Sequence, residues 1–265
     1  LDLKANYKQY AKLGEILQDQ GKLEESEFYI IKSIEINPNF AIAYYYLSLF
    51  KNVKKNASIF ERLFKDQILK EQNIENQVNI YFARANFMHK TKNFVDSAKY
   101  LKIANDLNLQ INNSEYKQIV EETSLLRSEF DSYKIKKSSK KKEQAIFIVG
   151  MIRSGSTLIE NILSANSELT CLGENSVFEY TYREWIKNKD ISLSKLYFDK
   201  LKDIASNKRI TTNKLLYNYM YSGLICSQIP NAKIIFCYRN PLDNLLSLYR
   251  ANFESGNNFS SSLED

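Results

Sequence analysis

QAIFIVGMIRSGSTLIENILSAN, Gln144 to Asn166, changes character twice along its length. Its opening QAIFIVG is a short, uninterrupted apolar run, the pattern of a parallel strand buried on both faces. Its close, STLIENILSAN, places Leu158, Ile159, Ile162 and Leu163 at helical spacing. Between them GMIRSGST meets every position of the phosphate-cradling pattern G-x-x-x-x-G-K-[ST] except one, where Ser156 replaces the lysine. Further on, RITTNK and AKIIFCYRN also read as strands followed by helix-like segments. Strands alternating with helices predict a parallel sheet with helices packed on it.

A strand that ends in a glycine-bearing turn and opens a helix makes an anion site. The first backbone N–H groups of the helix are free, and the positive end of its dipole points into the turn. Gly155 admits an oxygen close to the backbone, Ser154, Ser156 and Thr157 add hydroxyl donors, and Arg153 adds a planar cationic fork. This donor set suits a terminal monophosphate; the missing lysine is the one that reaches the outer phosphates of a triphosphate. The bland reading is that the turn only connects a strand to a helix.

KIIFCYRNPLDNLLSLYRANF, Lys233 to Phe253, is the second constellation. Its strand delivers Arg239 to the carboxyl end of the sheet, where open α/β sheets bind ligands. Pro241 suits the first turn of the next helix and Asp243 its positive end. Arg239 with the hydroxyl of Ser247 reads as a second phosphate clamp; Arg239 paired structurally with Asp243 is the alternative.

Residues 1–130 follow a different grammar, helix after helix. Tyr10, Leu13, Gly14, Leu17, Gly21, Ser26 and Pro38 resemble the tetratricopeptide pattern, a helix-turn-helix unit of about 34 residues. Tyr44, Leu47 and Ser48 start a second copy, and Tyr81, Ala85, Phe94, Ser97, Leu101 and Ala104 a third. The second helix of the middle copy is degenerate, with Phe60 and Phe64 in place of smaller residues. Tyr44 to Tyr46 read as core rather than as a peptide-binding face. His89 is the single histidine, sits in this helical half with no acid or cysteine in register, and is read as a packing or surface residue.

The net charge of +6 is matched by six lysines, Lys134, Lys136, Lys137, Lys140, Lys141 and Lys142, within a basic linker at 131–143. With no interleaved aromatic residues beyond Tyr133, the run is read as solvated chain rather than a nucleic-acid patch. No apolar run approaches the roughly 20 residues of a membrane span. Cys171, Cys226 and Cys237 lack metal-ligand spacing and read as reduced thiols of a cytoplasmic protein. The expected architecture is therefore α plus α/β: helical repeats over 1–130, the linker, and an α/β domain over 144–265.

VGMIRSGSTLIENILSAN…GE and NK…PNAKIIFCYRNPLDNLLSLY together resemble sulfotransferases that use 3′-phosphoadenosine 5′-phosphosulfate (PAPS). More narrowly, the chain resembles bacterial tetratricopeptide-repeat sulfotransferases related to tyrosylprotein sulfotransferases. The resemblance implies that Arg153, Ser154, Gly155, Ser156 and Thr157 hold the 5′-phosphate and bridging region of PAPS. Arg239 and Ser247 would hold the 3′-phosphate. Lys214, in TTNK, matches the family lysine near the leaving phosphosulfate bridge, and Glu174, in CLGEN, the general base. The catalytic set so implied is Glu174, Lys214 and Arg153, with PAPS or its bisphosphate product as ligand and no metal. The acceptor would be a hydroxyl on a protein or glycan, and the repeats would take a peptide or protein partner.

Asn213 and Leu216 depart from the family, which commonly has Asp and Pro there. SGNNFSSSLED (Ser255 to Asp265) resembles its acceptor-side segment, and the second phosphate loop of a full domain does not follow. The chain is thus expected to be a fragment of a longer product, with an uncovered sheet edge. Two other functions fit parts of the pattern: a P-loop-type small-molecule kinase, which calls for a lysine at 156 and a magnesium carboxylate, and a non-catalytic repeat scaffold with a degenerate nucleotide-binding domain.

Overall fold

The computed structural model describes residues 6–51, 53–70, 72–130, 143–205, 209–253 and 256–264; the basic lysines at 134–142 lie outside them. The chain divides into two compact units, Leu1–Tyr116 with Tyr249–Asp265, and Lys117–Leu248. These limits differ from the sequence segmentation at both ends of the α/β part. The helix at Tyr116–Phe130 joins the sheet-containing unit, and the chain beyond Leu248 joins the helical one.

The helical unit begins with α1 (Tyr7–Asp19) and α2 (Leu23–Ile36), followed by α3 (Ala41–Leu49) and the short α4 (Ala57–Leu63). It continues with α5 (Ile74–Lys90) and α6 (Phe94–Ile111). Asn6 and Gln9 cap α1 reciprocally. A Cβ on Gly14 would collide with the Ile30 side chain, so the missing side chain lets α1 and α2 close up. There Ser26 Oγ donates to the Gly14 carbonyl at 2.6 Å.

The α5–α6 hairpin repeats this contact: Ser97 Oγ donates to the Ala85 carbonyl at 2.9 Å, across the same twelve-residue separation. The positions paired by the sequence register, Gly14 with Ala85 and Ser26 with Ser97, therefore play equivalent structural parts. The degenerate middle copy appears as the short α4, with Phe60 and Leu63 fully buried. Tyr44 is fully buried and Tyr46 nearly so, placing them in the core.

Arg84 is buried without an acid partner among the described residues. Its Nε donates to the Leu63 carbonyl at 2.8 Å, and its guanidinium sits among the Phe64, Tyr81 and Tyr100 rings. Lys90 Nζ donates to the Ser48 and Phe50 carbonyls at the end of α3. The C-terminal segment docks through polar contacts: Asn105 to the Tyr249 carbonyl at 2.9 Å, Asn252 to Asn79 at 2.8 Å, and Asn108 to Ser261 at 2.9 Å. Arg250 reaches the Nε2 of His89 at 2.7 Å, and the His89 ring packs edge-on against Phe94, which makes it the packing residue expected.

The α/β unit opens with α7 (Tyr116–Phe130) and β1 (Gln144–Gly150). There follow α8 (Ser156–Ser164), β2 (Leu169–Cys171), α9 (Val177–Trp185) and α10 (Leu193–Lys202). The unit closes with β3 (Ile210–Asn213), α11 (Ser222–Gln228), β4 (Lys233–Cys237) and α12 (Pro241–Tyr249). The strands form one sheet in the order β2-β3-β1-β4, and every pairing is parallel. A core of Phe147, Phe178, Leu193, Tyr197, Leu224 and Ile225 packs against it, closed by Phe130 of α7. On the edge strand β4, Phe236 is 65% exposed.

The helix expected after the turn is present, but its inward side is mixed: Ile159 and Leu163 are half-buried, and polar groups are the most buried. Ser156 and Glu160 are buried on α8, whereas Leu158 and Ile162 are 64% and 62% exposed. The buried carboxylate of Glu160 finds polar partners beneath the helix, which an apolar side chain could not satisfy. No helix among the described residues is long and apolar enough to cross a membrane.

Candidate functional site

Parallel strands end on the same edge, and here each end is followed by a candidate side chain. β1 runs into the turn at 151–155, β2 leads to Glu174, β3 to Lys214 and β4 to Arg239. Local sequence accounts for the last of these placements. Asn240 Oδ1 accepts from the backbone N–H of Leu242 and Asp243 at 3.0 and 3.2 Å, and Pro241 starts α12. The chain is thereby stopped and turned just after Arg239.

The turn is shaped by left-handed backbone. Gly150 has φ of 139°, and a Cβ there would run into the Cys237 carbonyl of the neighbouring strand. Gly155 (φ 99°) precedes α8 with open space where a Cβ would be, and as N-cap it offers the helix no side-chain cap. The first N–H groups of α8 are thus left for an anion. Arg153 is also left-handed, at φ of 67°, an uncommon conformation for a residue with a side chain. Neighbours hold it there: Ser154 N–H donates to the Met151 carbonyl at 3.3 Å, and Asn244 Nδ2 to the Ile152 carbonyl at 2.9 Å. Ser154 Oγ is buried with no hydrogen-bond partner among the described residues, while Ser156 is buried and Thr157 exposed.

Arg153 and Arg239 converge. Arg239 Nη1 lies 3.5 Å from the Arg153 carbonyl, and Arg153 Nε donates to Ser247 Oγ at 3.2 Å. The two cradles read from sequence are therefore adjacent. Ser247, expected beside Arg239, is bonded to Arg153 instead. The structural Arg239–Asp243 ion pair is not formed, and neither arginine has a carboxylate partner among the described residues. Two exposed guanidinium groups, one on the turn and one beside it, without a counter-charge among the described residues suit a dianionic or doubly phosphorylated ligand.

On the β2–β3 side Lys214 Nζ meets Glu174 Oε1 at 2.6 Å. The Lys214 side chain is 8% exposed and that of Glu174 is 66% exposed. The backbones are joined as well: Lys214 N–H donates to the Gly173 carbonyl at 2.9 Å, and Leu172 N–H to the Thr212 carbonyl at 3.0 Å.

Three neighbours escaped the sequence reading. Asn244 steadies the turn, as above. Asn213, noticed only as a departure from a family pattern, is buried and donates from Nδ2 to the Asn175 carbonyl at 2.8 Å. Its Oδ1 accepts from Leu215 N–H at 3.1 Å and Asn218 Nδ2 at 2.8 Å. Glu160 is buried on α8 and reads in sequence as an ordinary polar helix position. Among the described residues no group of three or more His, Cys, Asp or Glu side chains is placed to hold a metal ion.

Fold and site together define a parallel α/β sheet with a left-handed, glycine-bearing turn and two adjacent arginines at its carboxyl edge. Residues 145–191 and 184–265 match the sulfotransferase family, so this part of the chain is similar to sulfotransferases and the general activity suggested is sulfonate transfer. An uncharacterized protein of Aquifex aeolicus (strain VF5) is 26% identical over 265 aligned residues, covering 91% of this chain and 34% of the relative. The chain spans about a third of the length of that curated relative. No solved structure gives a significant match.

Proposed function

We propose that this chain carries the donor-binding part of a PAPS-dependent sulfotransferase that modifies an acceptor hydroxyl on a protein or glycan. The observation that carries the reading is the arrival of Arg153, Glu174, Lys214 and Arg239 at the carboxyl edge of one parallel sheet, with Arg239 touching the Arg153 turn. When bound, PAPS supplies the sulfuryl group and a phosphate leaving group. The residues present fit it: the N-terminal N–H groups of α8 and, among the described residues, a Ser154 hydroxyl without a partner and two guanidinium groups without a counter-charge.

In this reading the turn from Arg153 to Thr157 takes the 5′-phosphate side, and Arg239 takes the 3′-phosphate of the same ribose. Ser247 orients the Arg153 fork between them. Lys214 and Arg153 neutralise charge growing on the leaving phosphate. Glu174, the exposed member of its pair, accepts the proton of the acceptor hydroxyl. The protein's part is alignment and electrostatics, with little covalent work. The helical unit would supply a surface for a peptide or protein partner.

Calorimetry with 3′,5′-adenosine bisphosphate against 5′-AMP tests the proposal. A clear preference for the bisphosphate, weakened by Arg239→Ala, is expected. Equal affinity for the two nucleotides, or phosphoryl transfer from ATP without response to PAPS, would overturn it.

A further inference from the structure

We infer that Glu160 is a positioning residue whose buried carboxylate locks the Glu174–Lys214 pair to the helix that opens at the anion turn. What the pair does rests on the sulfotransferase reading; the locking itself does not. Glu160 is 7% exposed and stands about one turn along α8 from Ser156. Its Oε1 accepts from Thr212 Oγ1 at 2.7 Å and from the Gly173 N–H at 3.2 Å. Thr212 is two residues before Lys214, and Gly173 immediately precedes Glu174. The Gly173 carbonyl in turn accepts from the Lys214 N–H at 2.9 Å. One carboxylate oxygen therefore fastens both strand ends that present the pair.

Glu160 has no cationic partner within ion-pair distance among the described residues. A buried carboxylate serving two neutral donors is costly compared with an apolar side chain of similar size. Its use at this point is explained if the register between α8 and the two strand ends matters. Helix α8 is short and begins at the turn itself, so a shift of that turn is transmitted through Glu160 to Gly173. Any slack here would misplace Glu174 relative to a nucleotide seated on the turn, and a displacement of about 1 Å can cost on the order of 10²-fold in rate.

Three variants of the full chain test this: Glu160→Ala, Glu160→Gln and Thr212→Val. Glu160→Ala is expected to lower kcat about 10²-fold while leaving the affinity for 3′,5′-adenosine bisphosphate unchanged, and to speed hydrogen exchange at the Gly173 amide. Glu160→Gln keeps the accepting oxygen and should restore most of kcat and the amide protection. Wild-type kcat with a protected Gly173 amide in Glu160→Ala would overturn the inference. So would a Gln variant as impaired as the Ala variant, since charge rather than hydrogen bonding would then be at issue. Should Glu160→Ala fail to fold, Thr212→Val removes one of the two donors, and unchanged kcat and exchange in it count against the inference. If the wild-type chain transfers no sulfuryl group, the functional reading fails and exchange at Gly173 alone decides the positioning role.

Discussion

Lys214 Nζ and Glu174 Oε1 lie 2.6 Å apart, yet the lysine side chain is 8% exposed and the glutamate 66%. An ion pair between two exposed groups contributes little, but here one partner has already lost its water. The pair is consequently asymmetric: the ammonium is fixed by the protein and the carboxylate faces outward.

This asymmetry separates the two variants. Glu174→Gln is expected to lower the transfer rate by about 10²–10⁴-fold with binding of 3′,5′-adenosine bisphosphate retained. Lys214→Met is expected to weaken both transfer and bisphosphate binding. Steady-state assays paired with calorimetry distinguish them, and a Gln variant with wild-type kcat would remove Glu174 from the chemistry.

Asn213 tests whether the amide at this position is required. Its Nδ2 donates to the Asn175 carbonyl, a bond that an ionised aspartate cannot make. Asn213→Asp should therefore lower stability by about 1–3 kcal/mol, the cost of leaving buried polar groups unmatched. Urea unfolding of the variant measures the loss; an unchanged midpoint would show that the site relaxes around a carboxylate.

Tyr197 points the other way. Its hydroxyl is buried without a partner among the described residues, and burial holds the phenol well above its ordinary titration range. The ring packs with Phe147, Phe178 and Phe198. Tyr197→Phe keeps the ring and removes the unmatched oxygen, so stability should hold or rise by about 1 kcal/mol. A clear loss on thermal melting would mean that the hydroxyl is bonded in solution.

Lys90 predicts a pH dependence in the helical unit. Burial, and secondarily the Arg250 charge, lower its ammonium from 10.5 to about 8. Between these values the unfolded chain binds more protons than the folded one, so this group makes the fold gain stability as pH rises from about 8 toward 10.5. The raised phenols of Tyr44 and Tyr249 oppose it at the alkaline end. Melting curves from pH 7.5 to 9.5 should show the increment, and Lys90→Met should abolish it; parallel curves for the two proteins would contradict the assignment.

Much of the site was legible because its signals are local. The apolar run of β1, the glycines of the turn and the Asn-Pro start of α12 each act within a few residues. They suffice to say that a strand ends in a glycine-bearing turn that opens a helix and that another presents Arg239. The twelve-residue contact between Gly14 and Ser26, repeated by Ala85 and Ser97, was likewise foreshadowed by small residues in register.

Tertiary structure alone decided how these pieces meet. The order β2-β3-β1-β4 brings Glu160, Thr212 and Gly173 together and sets Ser247 on Arg153 rather than on Arg239. It turns Glu160 inward while Leu158 and Ile162 face out, against the helical pattern. The physical reason is range. Propensity and capping act over a turn or two of chain, whereas a buried hydrogen bond depends on which distant strand the sheet has placed beside it.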